Sequence, residues 1–434
     1  MSMPMRNRFE VLSAQLEIDQ SEFNNSEGAH EDKKANEEIE FIVNKKGDLV
    51  SNVANAIALI SSHHAWAGAL AFNEFTRERV LLQPIPGQKN NGFPRKLEDE
   101  DYTAAQMWFN ANGLPIITKD AVVAALRKCC RDAPFDPLRE FLEGLTWDRE
   151  KRLGRWLTTY CGVDYNAYTA EVGLRWAVSA VARALKPGCK ADHMLVFEGM
   201  QGQRKSTVLS TLAGESFFSD NLPPMQTKDA SSFLRGKWII EVAELDAMRR
   251  DIDGVKAFIS RQVESYRPAY GREEVSEPRR CVFAGTTNKS DWQRDETGGR
   301  RFWPVKVGLV DIEGLERDRE QLWAEAVALY LEGERWWLEG DVAELALSEA
   351  SDRTPEDPWR SEIANILEDM TEITTKQVLG MLGILSADMT PALSKRVARE
   401  LVALGWEKTG RITAGEYKGA ARYMPVPAKP RSPS

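Results

Sequence analysis

The chain has 434 residues, 42% of them hydrophobic, and a formal charge of −9, enough for two or three domains with sizeable cores. It holds no run of about 18 apolar residues and no basic-then-apolar leader, so the composition argues against a membrane protein and for a cytoplasmic one. Five scattered cysteines without metal-ligand spacing, and only four histidines, argue against a disulfide scaffold and a protein-held zinc ion.

Residues 1–40 carry ten acidic and four basic side chains, which predicts a disordered acidic arm over 1–45. A mainly helical region is expected over 46–190. NVANAIALISSHH and YTAAQMWFNANG have helical spacing, and KDAVVAALRKCCRD starts a helix with Asp120 as its expected cap. PFDPLREFLEGLTWDREKRLGRWLTTYCG reads as two helices, and GLRWAVSAVARALKPG as one stopped by Pro187-Gly188. The pattern then changes. HMLVFEG, GKWIIEVAEL and RRCVFAGTTN are short apolar runs separated by helices, predicting an α/β core with a parallel sheet over 191–345. TPEDPWR reads as a linker. Over 358–426, three short helices and a hairpin have the layout of a winged-helix-like domain, followed by a disordered tail at 427–434.

A triphosphate concentrates negative charge, so its site needs close backbone N–H groups, a cation and a helix N-terminus. LVFEG, GMQGQRKST and STVLSTLA supply strand, loop and helix in that order, as in a P-loop nucleoside triphosphatase that binds ATP. Gly199 and Gly202 permit the tight turn, and Gln203, Arg204 and Thr207 complete the loop. Lys205 is expected to reach the β- and γ-phosphates, and Ser206 to ligate Mg²⁺. The usual pattern has glycine directly before the lysine. Arg204 stands there instead, either straining the loop or adding a phosphate contact. Hydrolysis also needs an acid at the end of a neighbouring strand. WIIEVAEL offers Glu241 and Glu244. Glu244, at the strand's exit, is preferred for both metal and water, with Glu241 as the alternative and Asp246 a weaker third. Asn288, helped by Thr286 or Thr287, ends CVFAGTTN where it can hold the attacking water. Arg300 or Arg301 of GGRRFWPV is expected to present a guanidinium to the γ-phosphate, within one subunit or across to the next.

The net charge argues weakly against nucleic acid, but its distribution argues the other way. Residues 255–306 hold eleven basic and seven acidic side chains, and residues 376–434 hold ten and four. In SRQVESYRPAYGREEVSEPRR, Arg267, Tyr270 and Arg272 are expected to follow a DNA backbone and stack on bases. In the winged-helix candidate, Lys395, Arg396 and Arg399 lie early on the third helix, where a recognition helix meets DNA. Lys408, Arg411, Lys418 and Arg422 flank the wing. Winged helices also serve as protein-contact modules, and that alternative stays open.

Six segments in order, LTWDREKRL, EGMQGQRKST, LRGKWIIEVAELDAM, FISRQVESYRPAYGR, CVFAGTTN and GGRRFWPV, resemble the virulence-associated protein E family of phages, prophages and genomic islands. The likeness covers most of residues 50–425. That family's core is similar to superfamily-3 helicases, a compact AAA+ branch that forms hexameric rings. The resemblance implies an ATP-driven helicase or translocase on single-stranded or forked DNA, acting as a homo-oligomer in replication of a mobile element. It carries over Lys205 and Ser206 as phosphate and Mg²⁺ contacts, Glu244 as the acid and Asn288 as the sensor. Arg300 and Arg301 become finger candidates, and Lys228 faces the pore or the nucleotide. Two other readings are a replication initiator or regulator that binds DNA without unwinding it, and a nucleotide-switched phage-interference protein.

Overall fold

The structure, a computed structural model, describes residues 40–89, 92–245, 252–267, 273–290, 292, 300–353, 357–415 and 417–426. The expected tail, and the expected arm as far as residue 39, lie outside them. Contacts divide the chain into two units, Met1–Phe72 with Arg79–Pro134, and Asn73–Glu78 with Phe135–Ser434. The division falls after Pro134, although helical spacing continues to about 190, because the later helices bury their apolar faces on the sheet of the second unit.

In the first unit, Asn52 caps helix α1 (Val53–Ser62) by accepting from the Asn55 N–H. The fully buried Asn55 side chain accepts from the Ile42 N–H and donates to the Ile42 and Val50 carbonyls, so its burial costs little. Helices α2 (Asp99–Ala111) and α3 (Lys119–Asp132) close a core around Trp66, Phe109 and Leu126. The cap of α3 is Thr118, not Asp120: the Thr118 hydroxyl accepts from the Ala121 N–H at 3.3 Å. Asp120 falls in the first turn, where its charge still suits the helix dipole.

The second unit is built on five strands, β1 (Met194–Glu198), β2 (Phe218–Ser219), β3 (Ile239–Val242), β6 (Val282–Thr287) and β7 (Phe302–Lys306), with a hairpin of β4 (Val263–Tyr266) and β5 (Val275–Pro278) inserted between β3 and β6. The five run parallel in the order β7-β1-β6-β3-β2. Leu195, Phe197, Ile239, Ala284 and Val305 face helices α4 (Ala167–Leu185), α5 (Lys205–Ala213) and α7 (Ile312–Leu331). Met194, Val196, Ile240, Val242 and Phe283 face the other way, toward Phe258 of α6 (Ile252–Ile259). A sheet covered on both faces has no solvent side, which is why these strands read as unbroken apolar runs. Indole donors lock the layers: Trp176 bonds the Phe283 carbonyl at 3.0 Å and Trp323 the Leu212 carbonyl at 2.8 Å.

Helix α8 (Gly340–Ser351) leads to a smaller group, α9 (Arg360–Leu367), α10 (Thr375–Met381), α11 (Pro391–Ala403) and antiparallel strands β8 (Trp406–Arg411) and β9 (Ala421–Pro425). Ile363, Val378, Val397, Leu401 and Trp406 form its own core. Among the described residues, no helix is long and apolar enough to cross a membrane.

Candidate functional site

Strand β1 delivers the chain to its C-terminal edge at Glu198, and the next six residues turn back into α5. At Gly199 a Cβ would lie 2.0 Å from Gln203 Oε1, so that side chain would have to move aside. Gly202 holds φ +87°, a conformation that glycine adopts at little cost. Arg204, directly before α5, also sits in the left-handed region at φ +57°, at about 1–2 kcal/mol for a residue with a Cβ. The turn that glycine ordinarily makes here is thus made by arginine.

Lys205, buried at the first turn of α5, folds its ammonium back on the loop. Its Nζ donates to the carbonyls of Gly199 at 2.7 Å and Met200 at 2.9 Å and to Asn288 Oδ1 at 3.0 Å. Burial pushes its pKa down, and the Glu241 carboxylate opposes that shift. Asn288 reaches the lysine because β6 lies between β1 and β3, with Thr287 in register with Glu198.

The acid beside Ser206 is Glu241, not the Glu244 preferred from sequence. Ser206 Oγ donates to Glu241 Oε1 at 2.8 Å, and Thr286 Oγ1 donates to the same atom at 2.6 Å. Alternation decides this: Glu241 shares the α5 face of β3 with Ile239, whereas Glu244 lies beyond the strand. Glu241 is buried, and among the described residues its Oε2 has no hydrogen-bond partner. Glu244, at φ +52°, sits exposed on the rim. Glu241, Glu244, Thr287 and Asn288 close a cleft of about 430 Å³ over Gln203, Arg204, Lys205, Ser206 and Thr207. Its side chains supply one buried ammonium, hydroxyls and hard carboxylate oxygens. Such a set suits phosphate with a divalent cation.

Arg300 and Arg301 are not at this edge. Phe302 pairs with Met194 and Lys306 with Glu198, so both arginines precede β7 at the far edge of the sheet, about 16 Å from the loop. Arg301 Nε donates to Ser260 Oγ at 3.0 Å, and Arg300 is exposed. Of the remaining candidates, Arg267 follows β4, while Tyr270, Arg272 and Asp246 lie outside the described residues. Lys228 opens a short helix, Lys228–Phe233, ahead of β3. Lys395 is exposed on α11. Arg396 and Arg399 on the same helix meet Asp357: Arg396 is bidentate, at 2.7 Å from both oxygens, and Arg399 lies 3.1 Å away. The Arg396 guanidinium also stacks 3.7 Å over Trp359. Asp357 and Trp359 fall within the stretch whose composition reads as linker, so nothing in the pattern marks them.

A second cavity, of about 320 Å³, opens beside the β4–β5 hairpin. Its arginines are matched by acids, Arg235 with Glu277, Arg279 with Glu264 and Arg280 with Asp136, leaving no net charge for a ligand. Among the described residues no group of three His, Cys, Asp or Glu side chains is placed to hold a metal ion.

Residues 142–355 match the model of the virulence-associated protein E-like domain. This stretch belongs to that family. The virulence-associated protein E-like domain contains the phosphate-loop segment, Glu241, Glu244, Asn288, Arg300 and Arg301, whereas Lys395, Arg396 and Arg399 lie beyond it. No match was found among curated proteins. Among solved structures the chain is similar to the apo C-terminal region of NrS-1, with 14% identity and a TM-score of 0.45 over 82% of this chain and 95% of that one. It is also similar to a mutant of Thermotoga maritima RuvB, with 11% identity and a TM-score of 0.19 over 56% and 91%.

Proposed function

We propose that this chain is a P-loop ATPase that drives a DNA helicase or translocase in the replication of a mobile element. One observation carries the reading: an ammonium, a serine hydroxyl and a buried carboxylate converge where a glycine-containing loop enters a helix. Lys205 exchanges the Gly199 and Met200 carbonyls for β- and γ-phosphate oxygens, and the N–H groups at the start of α5 take the rest. Ser206 and Glu241 would hold Mg²⁺; the unmatched Oε2 of Glu241 and the neighbouring hydroxyls of Ser206 and Thr286 fit that ion. When bound, the metal offsets charge on the phosphate oxygens during transfer. Glu244 on the rim accepts the proton of the attacking water as its oxygen bonds the γ-phosphorus and the bond to the β-phosphate oxygen breaks. Asn288 orients that water.

Arg300 and Arg301, at the wrong edge for their own loop, serve the loop of a neighbouring copy, so activity belongs to a ring. Arg267, Tyr270 and Arg272, with Lys395, Arg396 and Arg399 on a winged-helix-like domain, are assigned to DNA. Arg396 and Arg399 must exchange Asp357 for a backbone phosphate, and this favours, as a second reading, an initiator that releases its DNA contacts only on assembly.

Lys205→Ala is expected to abolish nucleotide uptake in a fluorescent ATP-analogue titration, and Glu244→Gln to retain uptake while losing at least about a hundredfold in kcat. Uptake by Lys205→Ala equal to wild type would remove the site. Strong stimulation of hydrolysis by single-stranded DNA separates a translocase from an initiator, whose hydrolysis it leaves unchanged.

A further inference from the structure

Glu198 is the last residue of β1 and the one directly before the phosphate loop, yet it does not line the cleft. Its carboxylate is buried, at 5% exposure. An unpartnered carboxylate in that position would cost several kcal/mol, so it calls for hydrogen-bond partners. Two partners do so, and both come from far along the chain. Arg353, just past the end of α8, directs Nε at both oxygens, at 3.0 and 3.1 Å. Trp292, itself buried, donates its indole N–H to Oε1 at 2.7 Å. Arg353 Nη1 donates to the carbonyl of Glu349, at 2.7 Å, and to that residue's carboxylate.

Each partner is tied to a different working part. Trp292 lies four residues after Asn288, whose amide oxygen holds Lys205. Arg353 lies two residues past the end of α8 and four before Asp357, the residue that engages Arg396 and Arg399 on α11. On the loop side, Glu198 itself is fixed through its backbone: its carbonyl accepts from the Val307 N–H at 2.8 Å, and the next N–H, of Gly199, donates to Thr287 at 3.2 Å. One carboxylate therefore joins the root of the phosphate loop, the segment after Asn288 and the exit of α8.

We propose that Arg353 is a positioning residue for hydrolysis, acting through Glu198 to hold the phosphate loop and the Asn288–Trp292 segment in one alignment. Neither residue lines the cleft. The inference rests on the ATPase reading given above. Loss of the clamp leaves the loop able to bind phosphates but lets Asn288 and its water drift from the γ-phosphate. A displacement of about 1 Å is enough to cost up to a hundredfold in rate.

The test compares the full-length wild type with Arg353→Ala, Arg353→Lys and the near-isosteric Glu198→Gln. The measurements are kcat and KM for ATP, affinity for a fluorescent ATP analogue, and thermal midpoint. The expected result is a fall of about tenfold or more in kcat for Arg353→Ala and Glu198→Gln, with analogue affinity within about threefold of wild type. Arg353→Lys keeps the charge but not the fork, and should recover only part of the rate. Wild-type kcat in the variants overturns the proposal, even if their midpoints fall, since that is the behaviour of a purely structural ion pair. Should Arg353→Ala fail to fold, Glu198→Gln and Arg353→Lys decide by the same criteria. A wild type that takes up no nucleotide refutes the ATPase reading itself, a result distinct from variants that bind and turn over normally.

Discussion

His193 lies flat against Trp303, ring centroids 3.9 Å apart, and burial pushes its pKa from 6.5 down to about 3. The folded chain therefore keeps this imidazole neutral while the unfolded chain protonates it near pH 6.5. Its contribution is intact above that value and is lost as pH falls toward 3, at about 1.4 kcal/mol per pH unit. Between pH 6.5 and 5 the loss is about 2 kcal/mol. His193→Phe keeps the ring stack and removes the proton, so its urea midpoint should decline less steeply with acid than that of the wild type; equal slopes would refute the assignment. At this same scale, the two acids of WIIEVAEL were visible in the sequence but their roles were not. Choosing between them requires knowing which face of β3 meets α5, and an apolar run buried on both faces carries no alternation to reveal it. Lys205 and Ser206 were legible because strand, loop and helix are consecutive. Glu198, Arg353 and Asp357 were not, since their partners lie far away in the chain.

Among elements, β6 sets the geometry of the site by separating β1 from β3. Its central Gly285 faces a crowded layer: a Cβ would fall 2.4 Å from Leu245 Cδ1 and 3.3 Å from Val196 Cγ2. Leu245 is bonded through its N–H to the Thr286 carbonyl at 3.2 Å and directly follows Glu244. Gly285→Ala should cost about 1–3 kcal/mol of stability by overpacking and lower kcat by displacing Glu244, with little change in nucleotide affinity. Denaturant titration and steady-state kinetics check the two halves separately; unchanged stability would mean that Leu245 gives way freely. Strands β1, β3 and β6 were readable as short apolar runs between helices, whereas β2, only two residues long, and β7, which follows an arginine turn, were not. Nor was the order of the five, because parallel neighbours are set by crossover packing rather than by adjacency in the chain.

On the scale of the whole molecule, the phosphate loop and the Arg300–Arg301 pair occupy opposite edges of one sheet. Both features stand in the sequence, which leaves open a contact within one chain or between chains; the register of β7 on β1 puts the pair about 16 Å from its own loop. If the guanidinium is donated across subunits, Lys205→Ala chains mixed with Arg300→Ala/Arg301→Ala chains should regain hydrolysis that neither has alone. Roughly a quarter of the wild-type rate is expected for random mixing, since one junction in four then pairs two intact halves. An inert mixture, with association confirmed by sedimentation, points to a finger elsewhere. With the guanidinium donated across subunits, each chain would have a head and a tail. Any open row of such chains ends in one loop without a donor and one donor without a loop, so short rows are disproportionately idle. Only closure upon itself leaves no site incomplete.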